Sequence, residues 1–313
     1  MLLLLAALPG LFWDGGASTA PTLRDAGISH IVVPAAQSAS WKDVSGITVE
    51  TGDLERAVKL LAPTVNYRMN QASASREPWL VANGWTFLRQ PRARFYYDVP
   101  GDPAALAAAE AFCYGANALI KTDAAGLKPL ARMLDFLRGL SARGLSGDDL
   151  PPVADIGFID DGSPAAGEVM NLMVRDNLLF RPVRAPDRTL KLNVRLGDKE
   201  YPLEDAKNPK LIAQAVRTNL TDEKRTLRIY GSPVVVARVT GSAGRLCVQL
   251  LNYAGAARKV NGIRVRVLGD YPKHQAAADD AAGVELLDYT AESGATEFTL
   301  PELKTYAVID LSR

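Results

Sequence analysis

The chain has 313 residues, of which 48% are hydrophobic and 23% charged, and its formal net charge is +1. That length allows two or three domains with sizeable cores, and the balanced charge, without a dense Lys/Arg patch, argues against a nucleic-acid partner. Two histidines, His30 and His274, and two cysteines, Cys113 and Cys247, are too few for a Ser-His-Asp, Cys-His or clustered zinc site. No Walker loop or dinucleotide glycine fingerprint occurs either, so no metal and no cofactor is expected.

The apolar run at residues 2–8 is too short to span a membrane. It reads as the core of a secretory signal over residues 1–10, with Ala6, Ala7 and Gly10 near a cleavage point. This implies a secreted or periplasmic protein. No Lys or Arg precedes the run, and the other reading, a first buried strand, leaves the protein cytoplasmic.

Residues 11–143 alternate strands and helices. Strands are expected at Leu11-Phe12-Trp13, Ile31-Val32-Val33-Pro34, Ile47-Thr48-Val49, Thr64-Val65-Asn66-Tyr67, residues 94–100 and residues 118–122. Helices are expected at residues 19–26, 54–61, 103–114 and 127–140. This alternation implies a parallel sheet with right-handed crossovers. Five or six units are too few for a complete eight-unit barrel, so the domain is an incomplete (β/α) barrel or an open parallel sheet. Its exposed edges call for a later domain or a second copy of the chain, a homo-oligomer. A Gly- and Asp-rich linker covers residues 144–152.

Residues 153–240 restart with a strand ending in Asp160-Asp161-Gly162-Ser163, then a helix over residues 167–179, giving a small flavodoxin-like α/β domain. The acidic end reads as a turn and helix entry, since it falls short of a calcium loop. Residues 241–313 change character: short strands separated by Gly, Asn and Pro turns, with at most a turn at residues 275–282. That is an antiparallel β-sandwich. It is expected to be structural and to cover an apolar face of the middle domain. Both cysteines read as small buried apolar residues rather than a disulfide.

Leu246-Cys247-Val248-Gln249-Leu250-Leu251-Asn252-Tyr253 and the closing stretch Pro301-Glu302-Leu303-Lys304-Thr305-Tyr306-Ala307-Val308-Ile309-Asp310-Leu311 resemble strands of the terminal sandwich in multidomain bacterial glycoside hydrolases. Residues 156–180 are similar to the first unit of an amidotransferase-like domain. Together these resemble the β-galactosidases that carry a barrel, an amidotransferase-like domain and a sandwich. The resemblance implies a carbohydrate ligand and, in those enzymes, a pair of glutamates; no Asn-Glu pair stands at a strand end of the first domain here.

The candidate site rests on the residues themselves. Asp14, Asp98 and Asp123 each follow an expected parallel strand, at the end where α/β sheets place their ligands. If desolvation raises the pKa of one, two such carboxylates can act as acid and base or nucleophile in glycoside hydrolysis. The alternative is helix capping or turn formation, which suits Asp123 before Ala124-Ala125-Gly126. Asn66, Tyr67, Arg68, Trp79, Asn83 and Trp85 lie in a long polar-aromatic connection. Such rings stack on sugars and such amides bond hydroxyls, or the connection packs on its own tryptophans. The expectation is a carbohydrate-active protein, either a glycosidase or a non-catalytic relative that keeps the scaffold.

Overall fold

A computed structural model describes residues 8–66, 78–279, 281 and 283–313; residues 1–7 of the expected signal segment, and Tyr67 and Arg68, lie outside these. The first domain runs β1 (Gly10–Phe12), α1 (Ala20–Asp25), β2 (His30–Val33), β3 (Thr48–Thr51), β4 (Val58–Leu60), β5 (Thr64–Asn66), β6 (Trp79–Val81), α2 (Gly84–Arg89), β7 (Arg94–Asp98), α3 (Pro103–Cys113), β8 (Asn117–Lys121) and α4 (Ala124–Ala142). Six strands form one parallel sheet in the order β3-β2-β1-β8-β7-β4.

That order distinguishes a barrel from a doubly wound sheet. In the doubly wound order the strand beside the first one opens the second half of the sheet. In a barrel the first strand pairs with the last, as β1 does here with β8. Chain length requires the same curl. Flat, the sheet would hold β3 and β4 five spacings apart, about 24 Å, and the chain must also return along a strand. The seven steps from Thr51 to Val58 reach at most about 25 Å fully extended. They are not extended: Ala57 N–H closes a turn on the Leu54 carbonyl at 3.1 Å. The domain is therefore a six-stranded incomplete barrel with its gap between β3 and β4.

The helix expected over residues 54–61 is this turn plus β4. Leu54, Val58 and Leu61 have helical spacing, but the stretch is too short to nucleate a helix alone, and Leu61 is left 71% exposed. Among its described residues, the connection over residues 66–94 contains β6, paired antiparallel with β5, and α2.

One face of the barrel sheet is the core. Leu11, Ile31, Val33, Leu60, Phe95, Tyr97, Ala118 and Ile120 pack in one cluster with α3 and α4. Because successive residues of a strand alternate faces, His30, Glu50, Lys59, Tyr96, Asp98, Leu119 and Lys121 stand on the concave inner face.

The middle domain holds β9 (Ile156–Ile159), α5 (Pro164–Arg175), β10 (Phe180–Val183), β11 (Leu192–Val194) and α6 (Pro209–Asn219). Its parallel sheet has the order β10-β9-β11, the flavodoxin-like arrangement of a first unit. Residues 184–191 cross β9 without a helix, a shorter path than parallel strands ordinarily need. Gly157 makes room for it: a Cβ there would lie 2.6 Å from Asn193 Oδ1 and 3.0 Å from Leu190 Cδ1.

The sandwich strands are β12 (Leu227–Tyr230), β13 (Val235–Ser242), β14 (Arg245–Asn252), β15 (Val260–Leu268), β16 (Lys273–Ala278), β17 (Leu287–Glu292), β18 (Ala295–Leu303) and β19 (Tyr306–Ser312). They form two antiparallel sheets, β12-β15-β18-β17 and β13-β14-β19-β16, so sandwich strands begin at Leu227, ahead of residue 241. His274 and residues 275–278, expected in a polar loop and turn, form β16 against β19. The second sheet is buried on both faces. Val248, Leu250, Ile309 and Leu311 face the partner sheet, while Cys247, Leu251, Tyr306 and Val308 join the core of α3 and α4. Tyr306 sits edge-on between Phe112 and Phe136, 6.3 Å from each. The sandwich thus covers barrel helices, a correction to the expected cover over the middle domain alone. Cys113 and Cys247 are free and buried in the same interface, where burial pushes the Cys247 thiol up to about 12.

Candidate functional site

Strand register assembles a row across the inner face. Val32 lies opposite Glu50 and Phe12, Phe12 opposite Lys121, and Lys121 opposite Asp98. The row lies at the C-terminal ends of the strands, and Asp14 extends it two residues beyond Phe12. Lys121 Nζ donates to Asp14 Oδ2 at 2.6 Å. The bond to Asp14 is the main reason the Lys121 ammonium is held above its ordinary pKa, and Asp98 and Tyr96 add to it. Lys59 Nζ lies 3.9 Å from Asp98 Oδ2. One strand over, His30 Nε2 is 3.4 Å from Glu50 Oε1, so His30 has an acidic neighbour that sequence reading did not supply. The turn that presents Asp14 is fixed. Gln37 Nε2 donates to the Asp14 carbonyl at 2.9 Å and Trp13 Nε1 to Thr19 Oγ1 at 2.8 Å. Gly15 is required under that indole, since a Cβ would fall 2.5 Å from Trp13 Nε1.

Two of the three expected carboxylates, Asp14 and Asp98, therefore meet around Lys121. Asp123 does not join them. It caps α4, its Oδ1 accepting from Gly126 N–H at 3.0 Å and from Gly101 N–H at 2.9 Å, and these bonds hold its carboxyl below the usual range. Its duty is backbone order at a helix start.

The expected binding residues mostly serve the interior. Asn83 is buried: its backbone N–H and side-chain amide donate to Glu110 at 2.6 and 3.0 Å. Trp85 packs on α5 of the middle domain, where a Cβ at Gly167 would meet its ring at 3.1 Å. Beside it, Arg89 forms a two-bond pair with Asp160 at 2.9 and 2.7 Å. Asp160 and Asp161 also accept the Gly162 and Ser163 N–H groups, which is the turn and helix entry read from the sequence. Trp79 carries the Arg175 guanidinium 3.9 Å from its ring centre and lies opposite the exposed Asn66 in the hairpin. The contacts of Trp79, Trp85 and Arg89 fasten the barrel to the middle domain, while Asn83 is held inside the barrel by Glu110.

Glu110 is a polar junction that the sequence did not reveal. Besides Asn83, it accepts from Tyr97 at 2.7 Å and from Tyr253, at the end of β14, at 2.5 Å. Burial raises its pKa against these four bonds. Its only sequence signal is an acid inside an Ala-rich helix.

The rim offers alternating hydrogen-bond acceptors and donors, Asp14, Lys121, Asp98 and Lys59, beside the half-buried ring of Tyr96. This suits a polyhydroxylated ligand. Burial raises the pKa of Glu110 and Asp148, and neither stands on the rim. No group of three or more His, Cys, Asp or Glu among the described residues is arranged to hold a metal, and no described helix is long and apolar enough to cross a membrane. A cavity of about 440 Å³, lined by Leu11, Ile28, His30, Leu119, Leu134 and Arg138 among others, lies toward the opposite, N-terminal end of the strands.

No protein-family model matches the chain, and no curated protein matches it. Among solved structures it is similar to the α-L-fucosidase isoenzyme 2 from Paenibacillus thiaminolyticus, with a TM-score of 0.56 at 10% identity over 88% of this chain and 69% of that one. A rhamnosidase from Novosphingobium sp. PP1Y follows, with a TM-score of 0.46 at 12% identity over 70% of this chain and 31% of that one. A GH42 β-galactosidase from G. stearothermophilus gives 0.36 at 8% identity over 83% of this chain and 55% of that one. The last two likenesses are too weak to carry weight, and the first speaks to architecture. In fold, the chain resembles this multidomain α-L-fucosidase.

Proposed function

We propose that the chain binds carbohydrate on the C-terminal rim of its incomplete barrel and does not cleave it. The observation that carries this reading is the Lys121 ammonium bonded to Asp14 at 2.6 Å and directly opposite Asp98. A glycosidase needs one protonated carboxyl beside a second, ionised one at the scissile bond. Here the rim acids face lysines, and the acids that burial favours in protonated form are Glu110 and Asp148, elsewhere in the fold. The fucosidase-like architecture supports a glycan as the ligand class. A secreted or periplasmic location belongs to the same proposal, supported by the apolar run at residues 2–8.

The test is a panel of aryl-glycosides and neutral oligosaccharides with wild type, Asp98→Asn and Lys121→Met. The expected result is binding without turnover, weakened about tenfold or more by either substitution, as loss of a charged hydrogen-bond partner implies. Hydrolysis by wild type that Asp98→Asn abolishes would restore the glycosidase reading. Equal binding by all three proteins would remove the rim from function.

A further inference from the structure

The outer face of the sheet β12-β15-β18-β17 sets two arginines directly opposite each other. Alternation places Val265 and Val267 inward and Arg264 and Arg266 outward on β15. On β12 it places Leu227 inward and Arg228 and Tyr230 outward. Register then sets Arg228 directly opposite Arg266, and Tyr230 opposite Arg264. Like charges directly opposite each other destabilise a sheet. Glu297, opposite Arg266 on β18, accepts from Arg264 at 2.6 Å and lies 3.3 Å from Arg266 Nε. Asp222 lies 4.0 Å from Arg228, while Arg225 and Arg217 also claim it at 3.0 and 3.9 Å. Two carboxylates thus serve five guanidinium groups. Glu223, near Arg228, and Asp288, near Arg264, stand at the margins. Within the cross-strand pair, Arg228 Nε and Arg266 Nη1 are buried and have no hydrogen-bond partner among the described residues. A buried donor without a partner is costly, and planar guanidinium groups match a carboxylate or sulfate. Beside them the Tyr230 ring is 44% exposed, with Arg228 Cζ 5.8 Å from its centre.

We infer that this face binds an acidic saccharide, bearing a carboxylate or a sulfate ester. Its anion lies between Arg228 and Arg266 and its ring stacks on Tyr230. The saccharide part rests on the carbohydrate reading above, while the location is separate from the barrel rim.

The experiment is calorimetric titration of the full chain, at an ionic strength of about 0.15 M to screen diffuse attraction. Polygalacturonate, dextran sulfate, neutral dextran and inorganic sulfate are the probes. Wild type is expected to bind one or both polyanions and not dextran, and the stronger polyanion identifies carboxylate or sulfate. Arg228→Gln and Arg266→Gln each weaken that binding at least tenfold. Tyr230→Ala weakens the polysaccharide and not inorganic sulfate. Arg132→Gln, which removes one exposed charge from α4, changes nothing. No binding to either polyanion overturns the inference, as does an equal loss in Arg132→Gln. Should an arginine variant fail to fold, unchanged polyanion binding in Tyr230→Ala overturns it. Lys121→Met separates the two proposals: retained polyanion binding keeps the sandwich site whatever the fate of the rim, and lost binding moves the ligand to the rim.

Discussion

Glu110 joins three parts of the chain through one carboxyl group: Asn83 at the start of α2, Tyr97 on β7 and Tyr253 beyond β14. Removing one hydroxyl leaves a buried carboxyl oxygen short of a donor, so Tyr253→Phe should cost about 1–3 kcal/mol in denaturant unfolding. The junction also predicts a pH dependence. The folded-state pKa of Glu110 lies above its ordinary value of 4.5, so between those two values the folded state binds more protons than the unfolded one. Its contribution is fully present below about pH 4.5 and is lost as pH rises through the raised pKa. Glu110→Gln removes this term. The stability of wild type relative to the variant should therefore fall as pH rises from about 4.5, and an unchanged difference would show that Glu110 titrates alike in both states. Residues of this kind explain what the sequence could not tell. Asp14 and Asp98 were legible because an acid after a strand has a fixed place in an α/β fold. Lys121 was not, since its position between them depends on the register of three separate strands. The partners of Asn83 and Trp85 were not legible because polar and aromatic density does not say which side of a connection faces the interior.

Strands with a strict alternation were legible and strands without it were ambiguous. Arg264-Val265-Arg266-Val267 gives its two faces directly. The run Leu246-Cys247-Val248-Gln249-Leu250-Leu251 gives no alternation because β14 is buried on both sides, and nothing local says that the second cover is a pair of barrel helices. β16 was read as a turn because Gln275-Ala276-Ala277-Ala278 has weak strand propensity; pairing with β19 overrides it. The crossover in the middle domain yields a sharper expectation. Gly157→Val places a branched side chain against Asn193 and Leu190 where even a Cβ has no room. It should destabilise the protein by about 1–3 kcal/mol or more, as overpacking does. Thermal unfolding followed by circular dichroism measures this, and a neutral result would show that the crossing segment moves aside freely.

The barrel gap sets the behaviour of the whole molecule. The outer edges of β3 and β4 have no strand partner among the described residues, and the sandwich packs on α3 instead. These edges are short, and Glu50 and Lys59 stand on their inner face, two devices that discourage edge pairing. Sedimentation at micromolar concentration should therefore find a monomer, and joint Glu50→Val and Lys59→Val replacement should promote association. A wild-type dimer would instead place a second copy over the gap. The cover that β13-β14-β19-β16 provides to α3 and α4 also has a consequence in time. Tyr253 is 143 residues from Glu110 in sequence, which at roughly 5–20 residues per second is roughly 7–29 s of synthesis. Within that interval α3 and then α4 are completed without their cover. The N-terminal half thus completes its fold only when the C-terminal half arrives, and contacts of such long sequence separation make that last step slow.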